Sequence, residues 1–160
     1  MTVAKSIRQY IIEDVIATLK DIKTTGGYNY TVTNVSTVNL QKNQINEYPA
    51  IIILPSDERN EEINIERYDC FLQLTLVCLV KEHSTADINE AVTKLLADVK
   101  KVLLATRGGY PGHTRGGYAL NTKILRNAAF FNEVESPVAV LNIDIEIYYR
   151  ERYGDPTTVA

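Results

Sequence analysis

The sequence is poor in the residues that most catalytic and metal centres require. Tryptophan is absent, and cysteine and histidine each occur only twice among 160 residues. No HExxH, CxxC or GxSxG pattern occurs, so the common zinc, dithiol and serine-hydrolase signatures are missing. Cys70 and Cys78 lie in one apolar run, where a strand would hold them roughly 26 Å apart, too far for a disulfide. We therefore expect two buried, reduced thiols, and neither a metal nor another cofactor.

Long apolar runs are missing as well. The longest uncharged apolar run has about eight residues, whereas a membrane-spanning helix needs about 20. The first residues, MTVAKSIRQYIIEDVI, lack the apolar centre of a secretory signal. A formal net charge of −3 argues against a dedicated nucleic-acid-binding protein. We therefore expect a soluble protein of the cell interior with no membrane partner.

The spacing of apolar residues predicts an α+β fold. The alternation of apolar and polar residues over 138–150 is typical of a half-buried antiparallel strand. The expected order is α-β-β(-β)-α-β(-β), in which two helices pack on one face of a mainly antiparallel sheet of four to five strands. Residues 1–150 should form a single domain and residues 151–160 a flexible C-terminal arm. The expected elements are a helix over about 4–23 that stops at Gly26-Gly27, strands at 48–55 and 63–80, a helix from near Ser84 to Gly108-Gly109, an irregular extended stretch at about 119–135, and the strand at 138–150.

A glycine-rich segment, RGGYPGHTRGGY, occupies residues 107–118. It contains no GK[ST] and follows a helix, so it does not match a phosphate-binding loop. Its arginines and tyrosines are residue types that can contact single-stranded nucleic acid. A mobile surface or assembly loop is the favoured interpretation, because glycine keeps a backbone costly to order until a partner binds it. The candidate contacts in this loop are Arg107, Tyr110, Arg115 and Tyr118.

Two groups of carboxylates are candidates for chemistry. Asp57, Glu58, Glu61 and Glu62 lie in DERNEEIN, which we interpret as a solvated charged connection because it lacks the ligand spacing of a calcium loop. Asp144 and Glu146 share one strand face roughly 7 Å apart, a spacing that could serve acid–base catalysis. Solvent exposure or pairing with arginine at an interface is the favoured interpretation of that pair.

The C-terminal segment IEIYYRERYGDP is the most distinctive part of the sequence. It leads from a half-buried strand directly into arginines and tyrosines, the residue types that dominate interface hot spots. The alternative is a strand end whose aromatic side chains cap the core. The candidate interface residues are Tyr149, Arg150, Arg152, Tyr153 and Asp155.

In this order, the features resemble those of the tail terminator (tail completion) proteins of long-tailed bacteriophages. The resemblance covers nearly the whole chain, although the loop at 107–118 departs from the family pattern. It is carried by an N-terminal amphipathic helix, an apolar strand opened by Tyr48-Pro49-Ala50, the β run at 63–80, a helix that begins in STADINEAV and ends in Gly-Gly, and a strand that ends in Tyr149-Arg150 before Tyr153-Gly154-Asp155-Pro156.

The resemblance implies a structural protein and no enzyme. Such proteins form a six-membered ring at the head-proximal end of the tail tube, stop tube polymerisation and join the tail to the head. The implied partners are further copies of the chain, the tail tube protein and a neck or head-completion protein, and a sheath protein is left open. DNA would pass through the lumen without specific binding, past an acidic loop formed by Asp57, Glu58, Glu61 and Glu62.

The resemblance also implies a location in the tail and neck of the virion, after assembly in the host cytoplasm. Two alternatives stay open on the residues alone. The first is another binding protein, either a different neck component or a small ferredoxin-like regulator. The second is an enzyme that uses Asp144 and Glu146 or His113.

Overall fold

A computed structural model of the chain describes residues 4–38, 44–82, 85–131 and 138–160. Short 3₁₀ turns at Thr24–Gly26 and Gly112–Gly117 accompany the main elements. Those elements are α1 (Ile7–Lys20), β1 (Asn34–Ser36), β2 (Ala50–Asn64), β3 (Arg67–Lys81), α2 (Thr85–Leu104), β4 (Asn121–Phe131) and β5 (Val138–Arg152).

The five strands form one sheet in the order β1-β2-β3-β5-β4. Only β1 and β2 run parallel, and the other three pairs are antiparallel. The central strands β3 and β5 pair without a register shift from Arg67↔Arg152 to Lys81↔Val138. The predicted α+β class and the mainly antiparallel sheet are therefore confirmed.

Both helices pack on one face of this sheet. One core cluster unites Ile11 and Val15 of α1 and Leu95 of α2 with the inward residues of the strands. In β3 and β5 these inward residues are the alternating ones that the sequence pattern predicts, and they are fully or almost fully buried. Along the two central strands the inward residues are Cys70, Leu72, Leu74, Leu76, Cys78 and Val80, with Ala139, Leu141, Ile143, Ile145, Ile147 and Tyr149.

Helix α1 is shorter than the sequence predicts. It begins with a capping box, in which the Gln9 backbone N–H donates to the Ser6 hydroxyl and the Ser6 backbone N–H donates to the Gln9 side chain. It ends at Lys20, with Asp21 as its C-cap. Two residues after the helix, Ile22 is buried and its carbonyl accepts a hydrogen bond from the backbone N–H of Val32 at 2.9 Å. The predicted stop at Gly26-Gly27 is therefore wrong, and those glycines belong to a later turn. The predicted start of α2 at Ser84 lies outside the described residues.

The acidic segment after the first long strand is not a loop. Strand β2 continues through it to Asn64 and pairs with β3 beyond a bulge, from Glu58↔Leu72 to Glu62↔Tyr68. The predicted charged connection and acidic loop are corrected accordingly. Almost every side chain in this half of β2 is exposed, so neither face of the strand is buried in the core. The segment therefore lacks the alternating apolar pattern from which a strand can be predicted.

The extended stretch before β5 is more regular than expected. Residues 121–131 form β4, which pairs with β5 from Asn121↔Tyr148 to Phe131↔Ala139 with one bulge. This strand occupies one edge of the sheet. The part of the predicted irregular stretch at 132–135 lies outside the described residues.

Candidate assembly surfaces

The sheet face opposite the helices is partly apolar. A second buried cluster lies at the end of the sheet where β2 begins and includes Ala50, Ile52, Leu79 and Val138. Ile45, from the segment before β2, belongs to this cluster and is 6% exposed. Part of the apolar surface of this face is therefore already covered by the chain itself.

The centre of the same face is polar and carries the carboxylate pair noted in the sequence. Thr75 donates to Asp144 at 2.7 Å, and Arg126 forms a short hydrogen bond with the other oxygen of that carboxylate. These two hydrogen bonds lower the pKa of Asp144 below its ordinary value, so the group is ionised at neutral pH. Glu146 accepts a hydrogen bond from Gln73 at 3.5 Å. Asp144 is therefore an acceptor in an ion pair and is poorly suited to donate a proton.

His113 does not join this carboxylate pair. Its backbone carbonyl accepts from Thr122, which lies on the helix-covered side of β4, whereas Asp144 faces the other side. Thr122 is buried beneath the 3₁₀ turn that contains His113. The structure therefore does not bring His113 together with Asp144 and Glu146.

An aromatic and charged network forms the far end of the helix-free face. The Phe71 and Tyr148 rings stack with centroids 4.9 Å apart. The Tyr148 hydroxyl donates to Asp69 at 2.6 Å, and Arg150 donates to the same carboxylate at 3.0 Å. Arg150, a predicted interface residue, is therefore held within its own chain, although its side chain remains 32% exposed.

Tyr149 lies on the opposite, buried side of β5. It is 1% exposed, and its hydroxyl donates to Glu58 of β2 at 2.8 Å. Burial, together with this bond to a carboxylate, raises the pKa of Tyr149 above its ordinary value. Glu58 also forms an ion pair with Arg8 of α1 at 2.8 Å. Two predicted surface residues, Tyr149 and Glu58, thus connect β5, β2 and α1 inside one molecule.

The residues after β5 fold back on the domain. Tyr153 stacks on Tyr68 with centroids 5.1 Å apart, and its backbone N–H donates to the Glu66 carbonyl. The Pro156 carbonyl accepts from the backbone N–H of Ile7 at the start of α1. Tyr153 remains 49% exposed. In the structure, residues 151–160 therefore contact the domain. That they form a flexible arm stays a prediction.

Asp155 organises the end of this segment. Its carboxylate accepts hydrogen bonds from the side chains of Thr157 and Thr158 at 2.5 and 2.7 Å. These bonds lower the pKa of Asp155 below its ordinary value. A backbone bridge joins Asp155 to Arg152, whose side chain is exposed. Among the predicted residues of this segment, Arg152 and Tyr153 are the ones most open to a partner.

The glycine-rich loop is attached to the domain by its arginines and one tyrosine. Arg115 is 1% exposed and donates to the Thr122 hydroxyl at 3.1 Å and, through a short hydrogen bond, to the Leu103 carbonyl. Tyr118 stacks on Tyr10 of α1 with centroids 4.6 Å apart. We therefore withdraw Arg115 as a candidate contact, because its guanidinium is enclosed by its own chain.

The other two loop candidates are accessible. Arg107 forms ion pairs with Asp21 at 2.6 Å and Asp14 at 3.4 Å, and its side chain is 44% exposed. Tyr110 is 52% exposed, and its ring lies against Gly117 at the end of the loop. Of the four candidate contacts in this loop, Arg107 and Tyr110 are the ones most open to a neighbouring molecule.

The outer half of β2 presents the remaining acidic residues. Asp57 lines a shallow groove on the helix-free face together with Arg126 of β4. Glu61 pairs with Arg59 at 3.1 Å, with both side chains about half exposed, and Glu62 is exposed. Across the described part of the chain, no group of three or more candidate ligands is placed to hold a metal, and no helix could span a bilayer.

Comparison with known proteins identifies a family that this chain matches. A family model described as Bacteriophage Tail Tube Terminator Protein matches residues 1–108. That stretch runs from the N-terminus through α1, the first three strands and α2, and ends at the start of the glycine-rich loop. A comparison with curated proteins gives no match.

Proposed function

The chain belongs to the bacteriophage tail tube terminator family, whose members are structural tail proteins, and from this premise we propose how it acts. Six copies form a ring at the head-proximal end of the tail tube. The ring prevents further addition of tube subunits and joins the tail to a neck or head-completion protein. The protein acts by assembly and has no enzymatic activity.

The observation that carries this proposal is the family match over residues 1–108. It includes both helices and the strands that build one side of the sheet, so it rests on most of the fold. The remaining strands, β4 and β5, complete the same sheet and share one core with the matched part. The matched and unmatched parts therefore form a single packing unit.

The surface is compatible with a ring. A closed ring uses heterologous contacts, in which two different patches of each subunit meet. The chain offers separate candidates for these patches on the outer half of β2, on β4, on the loop tip at Arg107 and Tyr110, and on the segment with Arg152 and Tyr153. Tyrosine and arginine in such positions are suited to interface contacts.

The charge of the chain is compatible with a channel for DNA. The net charge is −3, and the outer half of β2 presents Asp57, Glu61 and Glu62. We propose that the helix-free face of the sheet, which carries Asp57 and Glu61, faces the lumen. Carboxylates there would repel phosphate and allow DNA to pass without being held.

Deleting the gene from its parent phage genome tests the proposed function. The lysate is imaged by electron microscopy, and tail lengths and head attachment are scored against the wild type and against the deletion complemented from a plasmid. We expect overlong tubes that are separate from filled heads in the deletion alone. Complementation should restore tails of normal length joined to heads.

Two other results would contradict the proposal. Particles with normal tails in the deletion would refute termination. Tubes of normal length that fail only to join heads would instead support a different neck component.

A further inference from the structure

The sheet has two long edges without a strand partner among the described residues. Strand β2 has 15 residues, but β1 pairs only with Ala50–Ile52, so within the described ranges the rest of β2 has a neighbour on one side alone. Strand β4 has 11 residues, and its one strand partner in the part of the chain that the structure describes is β5. Unpaired edges present rows of backbone donors and acceptors that can bind another strand.

The two edges carry opposite charge. Residues 58–64 of β2 contain three glutamates and one arginine, a net charge of −2, whereas β4 contains Lys123 and Arg126, a net charge of +2. Glu61 and Lys123 both lie on the helix-free face, because each is in register with a residue of that face on the neighbouring strand. If the edges met, these charges would be on the same side of the joined sheet.

The edges also carry exposed apolar side chains. Ile63 is 46% exposed and Ile65, at the turn that follows, is 84% exposed. On β4, Leu125 and Phe130 are 48% and 56% exposed. Half of the large apolar side chains that are exposed in the described structure lie on these two edges or next to them. Apolar side chains on an open sheet edge are a liability unless a partner covers them.

The strand directions suit a cyclic arrangement. The antiparallel pairs place β2 and β4 in opposite directions within one sheet. Rotation about an axis along the strands brings the β2 of a neighbour beside β4 with its direction unchanged, so the new pair is antiparallel. A contact between two different edges is heterologous and closes a ring when the rotation between copies closes.

We propose that the outer half of β2 in one copy pairs edge to edge with β4 of the next copy, so that the sheets join across each contact of the ring. The occupant of each edge is thus a second copy of this chain. This inference rests on the ring proposed above and specifies the surfaces that build it.

A charge-reversal cycle tests the pairing in phage assembly. Glu61→Lys and Lys123→Glu, separately and together, are expressed in the deletion strain, and Lys100→Glu on the exposed side of α2 is the matched control. We expect each single edge variant to lower the yield of normal-length tails by about tenfold, because like charges then face each other. The double variant should recover most of the loss, and the control should resemble the wild type. Thermal melting confirms that all variants are folded.

Disulfide trapping tests the same contact directly. Opposed residues on antiparallel strands have Cβ atoms about 4.5–5.5 Å apart, close to disulfide geometry, and both native cysteines are buried. Glu61→Cys is combined in turn with Asn121→Cys, Lys123→Cys and Arg126→Cys, which sample three registers. We expect one pair to give a cross-linked ladder up to six chains on purified tails, and the single-cysteine variants to give none.

The outcomes separate this inference from the proposed function. Normal-length tails with no ladder from any pair, and with no effect of either charge reversal, would overturn the edge pairing and leave termination in place. Cross-linking that stops at dimers would overturn the heterologous geometry. Normal tails in the deletion strain itself would refute the proposed function and this inference with it.

Discussion

Arg115 provides a sharp test of how the glycine-rich loop is held. The residue has φ 48° and a side chain without solvent exposure. Its guanidinium contacts three elements: the Leu103 carbonyl near the end of α2, the Thr122 hydroxyl in β4, and Asp14 of α1 at 3.6 Å. Arg115→Met keeps much of the apolar stem, and methionine must adopt the same positive φ angle as arginine does at this position. The variant therefore isolates the loss of the charged group.

The expected cost follows from these contacts. Removing one partner of a buried ion pair costs about 3–5 kcal/mol because the other polar groups lose their partners. The lower end of this energy range applies here, because two of the partners keep another contact in the variant. Asp14 still forms an ion pair with Arg107 at 3.4 Å, and the Thr122 hydroxyl still donates to the His113 carbonyl. We therefore expect a loss of about 3 kcal/mol, or roughly 6–12 °C in Tm for a chain of this size.

Urea denaturation followed by far-UV circular dichroism measures this loss. Arg107→Met is the matched control, because that side chain is 44% exposed and its ion pairs should contribute about 1 kcal/mol or less. Equal losses in the two variants would show that Arg115 does not anchor the loop, and our assignment of its role would then be wrong.

Three further changes probe the core, the loops and the polar centre of the sheet. Asp98→Ala should lower the free energy of unfolding in urea by about 3 kcal/mol, because the buried Asp98 carboxylate accepts hydrogen bonds from the backbone N–H groups of Asn29 and Tyr30. A loss below about 1 kcal/mol would show that these hydrogen bonds do not anchor the segment. Asp144→Asn should lower stability by about 1–2 kcal/mol at pH 7. Because the folded-state pKa of Asp144 is lowered, the deficit should shrink as the pH falls below about 3.9, and a constant deficit in melts across pH would refute the ionic role. Leu76→Asp should abolish the cooperative melt, since it buries an unpaired charge in β3, and a folded variant would contradict the packing.

The central strands could be predicted because their two faces differ. In β5, alternation alone places Ile145, Ile147 and Tyr149 on one face, and all three are buried. The same alternation was a usable signal against treating Tyr149 as a surface contact. The alternation predicts burial at this position, whereas the residue type alone suggests an interface contact. A tyrosine can be buried when its hydroxyl has a hydrogen-bond partner, which here is Glu58.

Other features had no local signal in the sequence. The outer half of β2 is exposed, so it has no apolar alternation, and its pairing with β3 depends on backbone hydrogen bonds. The burial of Arg115 depends on Asp14, Leu103 and Thr122, which come from three other elements. Contacts between distant elements are fixed by tertiary packing and cannot be inferred from the composition of one loop.

A reconstruction of purified virions by cryo-electron microscopy, without imposed symmetry, would show where this chain lies and how many copies surround the tail. We predict six copies of this chain in one ring between the last ring of the tail tube and the neck, with the helix-free face of each sheet toward the lumen. Copies distributed along the tube, copies at the distal tip, or a junction that contains none of this chain would contradict it.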